Sequence, residues 1–465
     1  MTVSEKKEIF WPFLIVGFGS IVCFVLLVWP LLGKPMMSEG NTYSRLQTIV
    51  MEINFPNYMT DFSWLPFYNK IMMWPLKWNF DPSALSVRYL TLLITCLTSG
   101  LVGVLTYQLT RLKSLSVVAG SLYLINPLTI SLSTLTLSEN LWAFLVILSV
   151  VSLMGKNKKY WILGMLMWMI SQGVRYESWY LTPILMFIVW MRHKNIKLLI
   201  SVFLSSLVFP FYWMMESYKY TGVYLNIINI KKYYAANGPG DIYGNLWASV
   251  IVWLERVEEV ISWPFILIFV VGINQSIRKM IWLWLMPVVS IILLIIQVFS
   301  GTMEYFPARY LVILPIIVYP LVLMTLKKIY LTNSVFFLMI IVFLFIFEFI
   351  SFTPRIGLIS EMPNKDAIAV AEFVKQNNDN KKIIRYVTED IKDTTWTYST
   401  VWYFSQIPLS NFLLVEKKNY IDNVEQKNDL ITVFEKGNDG KLDNVYVKKG
   451  KKIVYENEFY TVFDN

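Results

Sequence analysis

The chain has 465 residues, of which 56% are hydrophobic and only 16% charged, against roughly 25% charged in an ordinary soluble domain. Its mean hydropathy is +0.51, and apolar runs of about 20 residues, enough to cross ~30 Å of hydrocarbon, recur from residue 9 to residue 352. A soluble globular protein is excluded, and the net charge of +9 does not signal nucleic acid, because most Lys and Arg of the first 360 residues sit in short loops between apolar runs, where they set topology.

The first run, Phe10 to Leu32, is too long for a signal peptide, and Lys34-Pro35-Met36 is not a small-residue cleavage site, so it reads as an uncleaved helix. Residues 34–88 follow. They are too polar to span a bilayer and too rich in aromatics for a solvated linker. Glu39, Arg45, Glu52, Asp61 and Arg88 alternate with Trp64, Phe67, Trp74 and Trp78, the composition of a segment lying in a membrane interface.

Basic clusters then punctuate the apolar runs: Lys6-Lys7, Arg111 with Lys113, Lys156 with Lys158-Lys159, Arg192 with Lys194 and Lys197, Arg278-Lys279, and Lys327-Lys328. Two apolar runs separate consecutive clusters, so every cluster can be cytoplasmic at once. Helices are predicted near 9–33, 86–110, 115–132, 137–154, 160–174, 177–191, 197–215, 261–275, 281–299, 309–326 and 334–352. That is about eleven transmembrane helices, with the N-terminus cytoplasmic and the C-terminus outside.

In this topology the acidic residues before 352 gather on the outer face. Glu139, Glu177 and Glu304 stand at the boundary of apolar runs, where a charge is costly unless it faces a cavity or a partner. Residues 216–260 form a second aromatic-rich external segment, with a Gly-Pro-Gly turn at 238–240 and an amphipathic helix after it. From 353 to 465 the composition changes to a short amphipathic helix followed by strand-like runs, separated by Asn, Asp, Gly and Lys turns. The predicted fold is thus a polytopic α-helical membrane unit, 1–352, with a small external α/β domain of about 110 residues, 353–465.

His193 is the only histidine and lies in a basic loop, while Cys23 and Cys96 lie inside apolar runs. A Ser-His-Asp triad, a His-ligated metal and haem are therefore excluded, which leaves carboxylates, Arg and backbone dipoles. Glu39 begins an amphipathic segment where a lipid head group would sit, and partial desolvation there suits a general base. The same position also suits a helix-start acid favoured by the macrodipole. Arg45, Arg88, Arg175 and Arg309 are predicted at the outer boundary. Arg donates to two phosphate oxygens at once and stays charged; it also snorkels or pairs with acids, and snorkelling is the better reading for Arg88, which simply begins a helix.

Taken as a set, short motifs from residue 9 to about 326 carry a family resemblance. They are Gly40-Asn41-Thr42-Tyr43-Ser44-Arg45, Trp64-Leu65-Pro66, Ser138-Glu139, Arg175-Tyr176-Glu177-Ser178-Trp179, Trp213 with Gly222-Val223-Tyr224, and Arg309-Tyr310 with Pro315. The chain resembles the GT-C superfamily of polyprenyl-phosphate-sugar-dependent glycosyltransferases, in the family 39-like branch of protein O-mannosyltransferases and lipid A aminoarabinose transferases. The resemblance implies inverting hexosyl or pentosyl transfer, at the outer face of the cell membrane, from a polyprenyl-phosphate-linked sugar to an acceptor hydroxyl on a protein, lipid or envelope glycan.

On that basis Glu39 is the expected base, with Asp61 and Glu139 as fallback acids. Arg45, Arg175 and Arg309 would hold the phosphate, and Tyr43, Trp64, Tyr176, Glu177, Trp179 and Tyr310 would line the groove. Asn41 stands where relatives often carry Asp, which leaves the acid's position open. Some relatives also use a divalent cation, so metal dependence stays open. The competing readings are a transporter or lipid flippase and a non-catalytic envelope scaffold. A transporter predicts inverted repeats, and the sequence shows none.

Overall fold

The computed structural model describes residues 11–32, 36, 40–54, 64–78, 84–155, 157–235, 243–302, 307–350, 364–378, 383–388, 395–416, 430–436, 452–457 and 459–464. Glu39, Asp61, Glu304 and the Gly-Pro-Gly turn at 238–240 lie outside the described residues.

The helices run in chain order as α1 (Trp11–Leu32), α2 (Gly40–Asn54), α3 (Pro66–Trp78), α4 (Leu85–Thr110), α5 (Lys113–Ile125), α6 (Pro127–Leu132), α7 (Glu139–Met154) and α8 (Lys158–Gln172). They continue as α9 (Glu177–His193), α10 (Ile196–Thr221), α11 (Asn226–Ala235), α12 (Leu246–Val260), α13 (Trp263–Phe299), α14 (Ile313–Thr332) and α15 (Ser334–Ile350). Among the described residues, five segments are long and apolar enough to cross a membrane: Leu14–Leu32, Leu85–Thr110, Ile196–Thr221, Trp282–Phe299 and Ile313–Thr332. Four shorter apolar segments accompany them. α1 leaves Ile15, Phe18, Leu26 and Trp29 exposed, a surface suited to hydrocarbon rather than water. The chain is a multi-pass helical membrane protein.

Two spans differ from the sequence reading. Residues 115–132 divide into α5 and α6, because Pro127 begins a new helix where its missing N–H costs nothing, and Asn126 caps it by accepting from Thr129 N–H at 3.2 Å. Residues 263–299 form one helical run instead of two. No Gly or Pro lies between Gly272 and Pro287, so nothing in the local chemistry breaks the helix there.

The bundle packs closely where small residues meet. A Cβ at Gly103 would lie 3.0 Å from Ser116 O, and one at Gly120 would lie 3.0 Å from Ser99 O, so α4 and α5 approach backbone to backbone. Arg88 is buried, unlike a snorkelling residue. Its guanidinium donates to Leu31 O, to Leu32 O at 3.1 Å and to Thr134 O at 2.9 Å, satisfying carbonyls that the end of α1 leaves open.

The C-terminal part combines α16 (Lys365–Asn377) and α17 (Thr395–Ser405) with five strands: β1 (Ile383–Thr388), β2 (Phe412–Glu416), β3 (Leu430–Glu435), β4 (Lys452–Glu456) and β5 (Tyr460–Asp464). The sheet order is β2-β1-β3-β5-β4. β1 pairs parallel with β2 and β3, and β5 pairs antiparallel with β3 and β4. α16 buries Ala367, Val370, Ala371 and Val374, the amphipathic face expected of it.

α17 packs on α2. Ser44 and Ser399 share a hydrogen bond at 2.8 Å, Tyr403 OH accepts from Met36 N–H at 3.0 Å, and the rings of Tyr43 and Tyr403 stack at 4.8 Å. Tyr43 OH donates to Met36 O. Met36 thus has both backbone groups held by tyrosines.

Candidate active site

The site forms where three helix connections meet. Glu139 is the first residue of α7, so its carboxylate lies at the positive end of the helix. Arg175 lies in the turn between α8 and α9, and Glu177 opens α9. Arg309 lies in a short 3-10 turn, Ala308–Leu311, before α14.

Glu139 is 2% exposed and pairs with Arg175, and its Oε1 is 3.0 Å from Arg309 Nε. Arg175 also pairs with Glu177 and donates to Ser138 Oγ at 3.4 Å. Tyr310 lies beneath both guanidiniums, its ring centroid 5.1 Å from Arg175 Cζ and 5.6 Å from Arg309 Cζ. The turn is pinned from below, because Trp142 Nε1 donates to Ser178 Oγ at 2.7 Å and Ser178 bonds Ser171 at 2.9 Å. Burial works against the Arg175 charge, but the Glu139 and Glu177 carboxylates overcome it and hold the guanidinium well above its ordinary pKa.

The segment that carries α2 and α3 docks on this turn. Phe67 N–H donates to Gly173 O at 2.9 Å, and a Cβ at position 173 would meet the Phe67 ring at 2.3 Å. Only glycine permits that approach. α2 and α3 are joined by Glu52, which pairs with Lys70 at 2.7 Å and accepts from Asn69 at 3.0 Å.

This arrangement sets Arg45 beside the cluster. It is 9% exposed, with Cζ 4.7 Å from the Trp64 ring and 5.5 Å from the Tyr68 ring. Its Nη1 has no hydrogen-bond partner among the described residues, and neither does the fully buried Tyr68 hydroxyl. Burial lowers the Arg45 pKa, with Glu139 opposing that shift and Arg175 adding to it. Burial likewise pushes the Tyr68 phenol well above its usual range.

An aromatic wall stands alongside. Leu65, Phe209 and Trp213 cluster with Phe67, Tyr176 and Trp179. Trp213 Nε1 donates to Tyr176 OH at 3.0 Å, Trp179 Nε1 donates to Gln172 O at 2.9 Å, and the Tyr176 and Trp179 rings meet edge-on at 5.0 Å.

Of the residues singled out in the sequence, Arg45, Trp64, Glu139, Arg175, Glu177, Arg309 and Tyr310 come together, and Tyr176 and Trp179 form the adjacent wall. Tyr43 instead faces α17, and Glu39 and Asp61 lie outside the described residues. One contributor escapes a reading of the sequence. Tyr68 is an ordinary helical aromatic until its neighbours are known.

Among the described residues the cluster brings the guanidiniums of Arg45, Arg175 and Arg309 around Glu139, with Glu177 on Arg175, in a poorly solvated place. Planar guanidiniums gathered in this way are chemically suited to phosphate or carboxylate. Among the described residues no group of three or more His, Cys, Asp or Glu gathers, and both carboxylates here are committed to arginine.

Fold and site together define a multi-pass helical membrane protein with a buried arginine–glutamate cluster at its helix connections. No family model matches the chain, and neither does any curated protein. Solved structures do. ArnT from Cupriavidus metallidurans bound to undecaprenyl phosphate is similar with a TM-score of 0.63 at 11% identity, over 97% of this chain and 97% of that one. Its apo state gives 0.58 at 10% identity, over 96% and 98%. The archaeal oligosaccharyltransferase AglB from Archaeoglobus fulgidus, in complex with an inhibitory peptide and a dolichol-phosphate, gives 0.54 at 11% identity, over 91% of this chain and 69% of that one. An oligosaccharyltransferase from Archaeoglobus fulgidus in complex with Zn and sulfate gives 0.54 at 11% identity, over 90% of this chain and 68% of that one. This chain shares the fold of these structures, the GT-C fold that the resemblance of its motifs implies.

Proposed function

We propose that the protein is an integral membrane glycosyltransferase. It transfers a sugar from a polyprenyl-phosphate-linked donor to an acceptor hydroxyl at the outer membrane face, with inversion. The supporting observation is the meeting of Arg45, Arg175 and Arg309 around Glu139 within a GT-C fold. Two of the similar structures hold undecaprenyl phosphate and dolichol-phosphate.

In this reading the acceptor hydroxyl loses its proton to a carboxylate of the first external segment, Glu39 first and Asp61 second. The acceptor oxygen attacks the anomeric carbon, the bond from that carbon to the phosphate oxygen breaks, and its electron pair leaves on the phosphate. Arg175, Arg309 and Arg45 stabilise the charge that appears there, an effect enlarged where water is scarce. Glu139, whose Oε1 meets two arginines, acts as the organiser that aims them. Trp64, Tyr176 and Trp179 offer faces to the sugar or the lipid. Residues 1–352 are the membrane-embedded transferase, with a cytoplasmic N-terminus, and 353–465 an extracytoplasmic domain that steadies α2 through α17.

The test is incubation of the purified protein in lipid nanodiscs with polyprenyl-phosphate hexoses and pentoses, reading release of polyprenyl phosphate. Release is expected from the wild type, with a loss of about a hundredfold or more in Glu39→Gln and in Arg175→Ala. Undiminished release from Glu39→Gln would move the base to Asp61. No release from any donor would overturn the transferase reading.

A further inference from the structure

α2 and α3 carry buried polar atoms that have no hydrogen-bond partner among the described residues: Arg45 Nη1, Tyr68 OH, Glu52 Oε2 and Asn69 Oδ1. Native proteins leave few such atoms, and each asks for an explanation. Hydrogen bonds fix where the two helices stand. Thr136 Oγ1, on the connection that leads to Glu139, donates to Thr42 O at the start of α2 at 2.9 Å. Phe67 N–H, at the start of α3, donates to Gly173 O at 2.9 Å, on the turn that holds Arg175. Both helices therefore begin at the arginine–glutamate cluster. Arg45 and Tyr68 stand at that end, with Arg45 Cζ 5.5 Å from the Tyr68 ring.

Glu52 lies seven residues beyond Arg45 on α2, on the same face and about 10 Å further along the backbone. Its Oε1 accepts from Asn69 Nδ2 at 3.0 Å. Lys70 Nζ is 2.7 Å from Oε2 but off the direction of a hydrogen bond, and its side chain is 55% exposed. The unfilled atoms differ in kind along this face. A guanidinium only donates and a phenol can donate, whereas a carboxylate oxygen and an amide carbonyl only accept. Because Glu52 only accepts, the Asn69 amide must turn its NH2 toward it, which leaves the carbonyl oxygen over. The result is one polar array with a donor end at Arg45 and an acceptor end at Glu52. The donor end complements an anion. The acceptor end complements O–H groups, and Lys70 beside Glu52 disfavours a cationic ligand there.

We infer that Glu52 and Asn69 form a sugar subsite that accepts hydrogen bonds from hydroxyls of the glycosyl group attached to the lipid phosphate. The inference rests on the lipid-phosphate reading above, which puts that phosphate at the arginines. A sugar hanging from a phosphate at Arg45 lies along the same face, toward the two open acceptors. Glu52 and Asn69 take no proton in the transfer; they set which glycosyl group is held.

The experiment measures binding to the full chain in nanodiscs by intrinsic tryptophan fluorescence, without acceptor. The ligands are undecaprenyl phosphate, bare or carrying glucose, mannose, galactose or arabinose. The readout is the affinity for the tightest glycosylated ligand divided by that for the bare lipid phosphate. In the wild type this ratio should be about tenfold or more, and Glu52→Gln should lower it about tenfold, the worth of a hydrogen bond to a charged group. Asn69→Ser should lower it about fivefold, the worth of a neutral one. Lys70→Met should keep it, because both acceptors stay in place. Affinity for bare undecaprenyl phosphate should match the wild type in all three variants, which also reports on folding.

An equal ratio in Glu52→Gln and wild type would overturn this inference and leave the proposed function standing; a raised KM for the acceptor in that variant would move the subsite to the acceptor. A Lys70→Met variant that loses as much as Glu52→Gln would overturn it by showing a pair that only joins α2 to α3. Equal losses for bare and glycosylated lipid would overturn it as a packing effect, and so would a wild type that gains nothing from any of the sugars. A wild type that binds no undecaprenyl phosphate would take down the inference and the lipid-phosphate reading together.

Discussion

Arg88 and Arg45 are both buried arginines in the region from α2 to the start of α4, and they spend their guanidiniums in opposite ways. Arg88, 1% exposed at the start of α4, donates to the carbonyls of Leu31, Leu32 and Thr134. Arg45, 9% exposed on α2, lies over the rings of Trp64 and Tyr68, and its Nη1 has no hydrogen-bond partner among the described residues. One closes the end of a helix. The other keeps hydrogen-bond capacity that the described residues do not fill. Burial and residue type do not separate a structural arginine from a binding one; the remaining hydrogen-bond capacity does.

The largest effect should come from breaking the structural member. Arg88→Met leaves the Leu31, Leu32 and Thr134 carbonyls without these donors, and hydrogen bonds to a charged group are worth about 1.5–3 kcal/mol each. A loss of roughly 3–5 kcal/mol is expected, read as a lower unfolding temperature in detergent and a poor yield of monodisperse protein. An unfolding temperature equal to that of wild type would mean that the end of α1 does not depend on this cap.

The second effect is smaller and of a different kind. Arg45→Met removes a desolvated cation and its ring contacts, which are worth about 0.5–2 kcal/mol. It also removes the burial penalty that lowers the Arg45 pKa. Stability should therefore stay within about 1 kcal/mol of wild type, or rise, while undecaprenyl phosphate binding weakens about tenfold or more. A variant that loses stability and keeps its affinity would reverse the assignment of the two arginines.

The same contrast shows what a sequence can disclose. Hydropathy placed most of the helices, because a chain that must satisfy its backbone in lipid has few alternatives. Glu139, Arg175 and Arg309 stood out because charges at the edge of apolar runs need partners, and in the fold they are one another's partners. Arg88 was misread, since open carbonyls at the end of α1 leave no mark on composition. The continuous α13 was read as two spans because the basic pair Arg278-Lys279 imitates a loop. α17 went unassigned, as its Thr, Trp and Tyr residues favour strand by propensity, and packing on α2 accompanies the opposite outcome. Tyr68 became visible only in three dimensions, where its polar end could be checked for partners.

The finest test of the contrast is Tyr68→Phe. The Tyr68 hydroxyl is fully buried and has no hydrogen-bond partner among the described residues. Removing an unsatisfied buried hydroxyl takes away a desolvation cost of about 1–3 kcal/mol and leaves the ring under Arg45 in place. The variant should be at least as stable as wild type, which is unusual for a substitution in a packed core. If the hydroxyl is kept for an anion that Arg45 also holds, undecaprenyl phosphate binding should weaken about fivefold, the worth of one neutral hydrogen bond. Stability and affinity would then move in opposite directions from the loss of a single oxygen. A fall in both would make Tyr68 a structural residue like Arg88, and an unchanged affinity would place the ligand away from the Arg45 end of the array.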